Sequence, residues 1–201
     1  MKCLLIKNAD VYAPQPLGIV DILIINDKIA KIGQQLAAPQ GLDCQILDAQ
    51  ERKVVPGYVD QHVHIIGGGG ESGPYSRTPE INLSELTKVG ITTVVGVLGT
   101  DGTSRHNESL LAKARGLTHE GITAYMLTGS YEIPLHNMTG DVRRDIILIN
   151  ECLGIGEVAL SDHRSSQPTR EELEKVLTQA RLGGMLSGKA GVVQFLSLIH
   201  I

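Results

Sequence analysis

The hydrophobic pattern of the chain changes rhythm once. Up to about residue 53, short apolar runs recur at brief intervals, over 3–7, 18–25, 28–32 and 44–48. Runs of this length, broken by polar and Gly/Pro positions, read as β-strands. Asn26-Asp27 between the second and third runs is a hairpin turn signal, so 21–29 reads as two strands of a small antiparallel sheet. From Val54 onward, apolar runs alternate with segments of helical period. Strands are predicted over 54–64, 92–98, 122–127, 157–161 and 191–195, and helices over 82–88, 107–117, 142–153 and 169–182. The last helix opens on a capping box, Thr169 with Glu172. It carries Leu173, Val176, Leu177 and Ala180 at i, i+3, i+4 and i+7, a stripe that reads as core packing. Strand–helix alternation favours a parallel βα architecture. Four βα units and a fifth strand can be counted.

Composition narrows the function classes. The net charge is -4 and no basic stripe stands out, which argues against nucleic acid as a partner. No run approaches the ~20 apolar residues of a membrane-spanning helix. Cys3-Leu4-Leu5-Ile6 is cut short by Lys7-Asn8-Ala9-Asp10, too short and too polar for a signal peptide. Cys3, Cys44 and Cys152 show no CxxC spacing and read as reduced thiols of a cytoplasmic protein, filling core space. With one Phe and no Trp, the core must be aliphatic.

The chemistry concentrates in Val54-Val55-Pro56-Gly57-Tyr58-Val59-Asp60-Gln61-His62-Val63-His64. On a strand, residues i and i+2 project from one face, so the imidazoles of His62 and His64 can reach a single metal ion. Imidazole suits zinc and its neighbours. The other reading of an HxH pair is one hydrogen-bonded core histidine and one facing solvent. Aliphatic residues before the pair and Gly67 to Gly70 after it fit a barrel strand that ends at an open, ligand-facing rim. The glycine run is not a nucleotide signature, because it lacks GxGxxG order and a following GK[ST]. His106, His119 and His136 carry no strand-end context, and His163 reads as a loop residue.

The P-G-x-V-D-x-H-x-H stretch resembles the first barrel strand of the amidohydrolase superfamily. Gly68-Gly69-Gly70-Glu71, Leu98-Gly99-Thr100-Asp101-Gly102, Thr128-Gly129-Ser130-Tyr131 and Ser161-Asp162-His163-Arg164-Ser165-Ser166 follow in order. Together these resemble the isoaspartyl (β-aspartyl) dipeptidase family, over about residues 1–195. The resemblance implies an α/β fold: a small N-terminal β-subdomain over 1–53, then about half of an amidohydrolase-type (β/α)8 TIM barrel over 54–195. It implies a cytoplasmic metallopeptidase that cleaves isoaspartyl dipeptides with a metal-bound hydroxide, holding two Zn2+ per complete active site, and a homo-oligomeric full-length parent. His62, His64 and Glu157 would be metal ligands. Glu157 stands where the family often has a carboxylated lysine, and it already carries a bidentate anion. Gly69 and Gly70 would lie beside the ligand, Glu71 would take the substrate amino group, and Thr100 would contact the substrate. Tyr131 would polarise the scissile carbonyl, and Arg164 would grip a carboxylate.

The sequence departs from the family where the fifth strand should end in histidine. Leu196 stands there, and no counterpart of the sixth-strand histidine or the eighth-strand aspartate can be identified. Residues 196–201 read as a non-native tail resembling translated adapter sequence. The chain is therefore expected to be an N-terminal fragment that is marginally stable, aggregation-prone or dependent on a partner, able to bind metal weakly and inactive alone. Two other readings remain open: an amidohydrolase of cyclic amides, dihydroorotase-like or hydantoinase-like, and a non-catalytic fragment that works by association.

Overall fold

The computed structural model describes residues 2–197. These fall into two compact units that divide between Gly57 and Tyr58.

The first unit is a β-sheet. β1 (Cys3–Tyr12), β2 (Pro16–Ile25), β3 (Lys28–Gly33) and β4 (Gln45–Asp48) lie in the order β3-β2-β1-β4, and β5 (Lys53–Val54) also pairs with β1. β2 and β3 form the expected antiparallel hairpin, closing with Ile25 opposite Lys28 across Asn26-Asp27. Its core is Ala9, Val11, Val20, Ile22 and Ala49. One expectation fails here: Cys3 and Cys44 are joined in a disulfide. β1 and β4 run parallel with Leu4 opposite Gln45, so the residue before each ladder position faces its counterpart. Sequence spacing carries no trace of that register. The cytoplasmic placement that rested on reduced thiols loses this support. Cys152 does behave as core filler: it is fully buried, and burial pushes its thiol up to about 12.

The second unit is a parallel sheet wound in chain order. Its strands are β6 (Tyr58–Val63), β7 (Ile91–Gly96), β8 (Thr123–Thr128), β9 (Cys152–Ala159) and β10 (Val192–Leu196), in the spatial order β10-β9-β8-β7-β6. Helices α1 (Leu83–Thr87), α2 (Asn107–Glu120), α3 (Val142–Leu148) and α4 (Arg170–Ser187) make the crossovers. Spatial order equal to chain order is how a barrel is wound; a doubly wound sheet reverses direction. The curl can be measured. Four strand spacings in a flat sheet would separate β6 from β10 by about 19 Å, yet Gln194 on β10 touches His62 on β6 at 2.8 Å. The sheet is closing on itself, as half a barrel does.

Both faces of this sheet are apolar, as a parallel sheet requires. Val94 and Met126 point into the main core with Leu110, Ala114, Ile146 and Val176 from the helices. Their neighbours Val95 and Leu127 point the other way, into a smaller cluster with Val97.

Several elements differ from the sequence reading. The strand predicted over 54–64 is two strands: Pro56-Gly57 interrupts it, and β5 belongs to the first sheet. The helix predicted over 142–153 stops at Leu148, because Cys152 to Gly154 are taken into β9 by pairing with Met126, Leu127 and Val192. Lys189 Nζ caps the freed end of α3, donating to the carbonyls of Ile146 at 2.6 Å and Ile149. On α4, Leu177 is 45% exposed; Val176, Ala180, Gly183 and Gly184 form the buried face instead. Glycine is needed there, since a Cβ at Gly184 would lie 2.5 Å from Gly191 Cα. Leu196, the first residue of the expected tail, ends β10 opposite Ala159. Residues 198–201, with His200, lie outside the described residues.

Candidate active site

The strands of the second unit end on one rim, and the rim gathers the predicted site residues. His62 is the penultimate residue of β6, and His64 directly follows the strand's last residue, Val63. Glu157 comes from β9, two residues before its end. One nitrogen from each imidazole and one carboxylate oxygen all lie within 4.8 Å of one another. His62 Nε2 is 2.6 Å from Glu157 Oε2, and His64 Nε2 is 4.0 Å from Oε1.

The electrostatics of this cluster call for a cation. Glu157 is fully buried, and among the described residues neither carboxylate oxygen has a hydrogen-bond partner of good geometry. Burial pushes its carboxyl up to about 7, although Tyr131 and Arg164 pull the other way. Burial also lowers both histidines, and for His64 the neighbouring His62 adds to the effect. Neutral imidazoles offer lone pairs to a metal, and an unpartnered buried carboxylate gains most from one. Two imidazoles and a carboxylate are a donor set suited to zinc. The residues present fit a divalent ion.

Gly99 makes room for this arrangement. Its φ of +88° is one that L side chains rarely adopt, and a Cβ there would lie 3.0 Å from the His64 ring.

A second cluster adjoins the first. Arg164 Nη1 donates to Glu71 Oε1 at 3.0 Å and lies 3.4 Å from Thr100 Oγ1, which is itself 3.4 Å from Glu71. The guanidinium stands over the Tyr131 ring, 5.1 Å from its centroid. Tyr131 is 8% exposed, and its phenol is raised by burial and then by the Glu157 charge. That repulsion ties the two clusters electrostatically. Gly69, Gly70, Glu71 and Thr100 line one cleft together with Arg77, Asp101 and Ser104. The structure thus collects all nine predicted residues at one end of the sheet, in two neighbouring groups.

Arg164 differs in one respect from a free carboxylate clamp. Buried Asp162 accepts from its backbone N–H and from Nε, each at 2.8 Å, and also from Nη2. One fork of the guanidinium is therefore already occupied, and Nη1 is presented to the cleft. The pairing holds the Asp162 carboxyl well below the usual range. His163 is 77% exposed in its side chain and takes no place in the metal cluster.

Two residues at the site carried no role in the sequence reading. Arg105, 5% exposed, donates to the carbonyls of Gly68 at 2.8 Å and Gly69 at 3.1 Å. Nothing in the local sequence marks it, because its partners are 36 and 37 residues away. Gln194 contacts His62 from β10. A lone amide in the apolar run Val192-Val193-Gln194-Phe195 was a signal that could have been read.

Histidines and a buried carboxylate at the rim of a partial parallel barrel define an amidohydrolase. Comparison with known proteins agrees. A crystal structure of β-aspartyl dipeptidase from Fervidobacterium islandicum AW-1 superposes with a TM-score of 0.93 at 45% sequence identity, covering 98% of this chain and 53% of that one. The same enzyme in complex with a β-Asp-Leu dipeptide gives 0.91 at 45% identity, covering 96% and 50%. By sequence, a dihydroorotase from Staphylococcus aureus MRSA252 is 39% identical over 90 residues, 45% of this chain and 20% of that protein. An imidazolonepropionase from Psychromonas ingrahamii is 27% identical over 119 residues, 58% of this chain and 30% of that protein. No family model matches the chain. Over almost its whole length the chain is similar to β-aspartyl dipeptidase, and over shorter stretches to other amidohydrolases. It spans about half the length of the dipeptidase structures and less than a third of the curated relatives it matches. Among the described residues, no helix is long and apolar enough to cross a membrane.

Proposed function

We propose that the protein is a metal-dependent hydrolase of β-aspartyl (isoaspartyl) dipeptides. The observation that carries this is the adjacency of the partly buried His62–His64–Glu157 cluster to Glu71, Thr100, Tyr131 and Arg164. An isoaspartyl dipeptide carries one ammonium and two carboxylates. The cleft offers it a half-exposed carboxylate, Glu71, and the Nη1 edge of a guanidinium, Arg164, which faces that carboxylate. Two groups that now pair with each other would exchange that contact for the opposite charges of the substrate.

His62, His64 and Glu157 would hold the metal, zinc being the first candidate for this donor set. A bound divalent ion supplies a hydroxide nucleophile near neutral pH and polarises the carbonyl. The chain's own residues do the rest. Glu71 accepts from the substrate ammonium, and Arg164, stiffened by Asp162, orients a carboxylate. Thr100 and the backbone of Gly69 and Gly70 close around the aspartyl portion. Tyr131 keeps its proton at neutral pH, since burial raises its pKa. Its O–H can therefore donate to the oxyanion that develops on the scissile carbonyl.

The test is a substrate panel. The purified chain is loaded with Zn2+ and assayed for binding and turnover of β-Asp-Leu, α-Asp-Leu, dihydroorotate and a hydantoin. Selective binding of β-Asp-Leu, weakened at least tenfold in Glu71→Gln, supports the proposal. Binding of the cyclic amides instead supports a cyclic-amide hydrolase, the reading that the dihydroorotase match favours.

A further inference from the structure

We propose that Gln194 is a positioning residue that selects the tautomer of His62 and so prepares it to hold a metal ion, an inference that rests on the metal reading above.

The contact spans the opening of the half barrel. Gln194 sits mid-strand on β10, and its amide nitrogen lies 2.8 Å from His62 Nδ1. The other imidazole nitrogen, Nε2, faces Glu157 Oε2 at 2.6 Å. With the amide nitrogen toward the ring, Gln194 donates to Nδ1, and the proton of a neutral ring must reside on Nε2. That tautomer cannot ligate through Nε2, the atom nearest the carboxylate.

Rotating the amide by half a turn reverses the assignment. Oε1 then accepts from Nδ1–H, and Nε2 turns a lone pair toward Glu157. The two amide orientations occupy the same space, so packing does not separate them. What does separate them is satisfaction of polar atoms. In the present orientation Gln194 Oε1 and Glu157 Oε1 are buried with no hydrogen-bond partner among the described residues, and Glu157 Oε2 has only the Nε2–H of His62 before it. An ion between His62, His64 and Glu157 would satisfy the carboxylate. The accompanying amide rotation would give Oε1 its donor. Metal uptake and the amide rotation therefore favour each other. Metal-ligating histidines generally donate their second N–H to such an acceptor, and removing it costs roughly 10–100-fold in affinity. A plain filler role would ask only for bulk at this position.

The test compares wild type, Gln194→Leu and Gln194→Glu. Zn2+ affinity is measured by competition with a chromophoric chelator. The His62 tautomer is read from long-range 15N–1H NMR correlations, with and without Zn2+. The expected wild-type result is a shift of the His62 proton from Nε2 to Nδ1 on adding Zn2+. Gln194→Leu should bind roughly 10–100-fold more weakly. Gln194→Glu, which can only accept, should hold the Nδ1–H form even without metal and keep its affinity. It also keeps the test alive should the leucine variant fail to fold. Wild-type affinity in Gln194→Leu, equal losses in both variants, or a tautomer that ignores both metal and substitution would each overturn the role of Gln194. A wild-type chain that takes up no ion would overturn the metal reading itself, and Gln194 with it.

Discussion

Arg105 donates to the carbonyl oxygen of Gly68 at 2.8 Å from a position 5% exposed to solvent. Together with its 3.1 Å bond to the Gly69 carbonyl, this fixes the loop between His64 and Glu71. The loop packs on the metal cluster, since a Cβ at Gly68 would sit 3.2 Å from the His64 ring. Charged hydrogen bonds of this kind contribute about 1.5–3 kcal/mol each. Arg105→Ala should therefore destabilise the second unit by about 3 kcal/mol and accelerate amide hydrogen exchange across 67–73. Exchange at wild-type rates would show that the loop holds its shape without the guanidinium.

Asp145 is a second buried anchor. It is fully inaccessible and accepts from Thr128 Oγ1 at 2.6 Å, Met138 N at 3.0 Å, Thr139 N at 2.9 Å and Thr139 Oγ1 at 2.7 Å. Removing a buried acceptor with this many donors costs about 3–5 kcal/mol. Asp145→Asn should recover little of that, because its NH2 would face donors. Urea denaturation of Asp145→Ala and Asp145→Asn checks both statements, and full stability in the asparagine variant would contradict the second.

The Cys3–Cys44 disulfide closes a loop with a sequence separation of 41. Loop-closure entropy for that length is about 4 kcal/mol. Reduction, or Cys44→Ser, should lower the melting temperature of the first unit while leaving that of the second near its wild-type value. Scanning calorimetry with and without a phosphine reductant would show this. Identical traces would mean that the bridge contributes nothing.

Acid sensitivity of the first unit should trace to Asp21. Asp21, 4% exposed, is held below the ordinary carboxylate value of 3.8 mainly by its bond from Lys7 Nζ at 2.6 Å, and burial opposes this. A depressed folded-state pKa contributes stability above the unfolded value, and that stability is lost as the pH falls through the folded value. Melting temperature should therefore fall below about pH 4 in wild type and fall less in Asp21→Asn, which begins less stable at pH 7. Parallel acid limbs in the two proteins would remove Asp21 as the cause.

Much of this protein is local and was legible in the chain. The Thr169–Glu172 capping box forms as read, with Thr169 N donating to Glu172 Oε2 at 2.8 Å. The Asn26-Asp27 turn closes its hairpin, and the strand–helix alternation after Val54 becomes a parallel sheet wound in order. His62 and His64 converge because a period of two is a property of any strand. What the tertiary structure decided is long-range. The Cys3–Cys44 bridge depends on a parallel register between strands some forty residues apart. The occupied fork of Arg164 and the loop clamp of Arg105 depend on how strand-end loops meet at the rim. The Gln194–His62 contact joins residues 132 apart, and it exists only because five strands curl. Propensity and periodicity act over a few residues; which distant polar groups meet is set by the curvature of the sheet and the packing that maintains it.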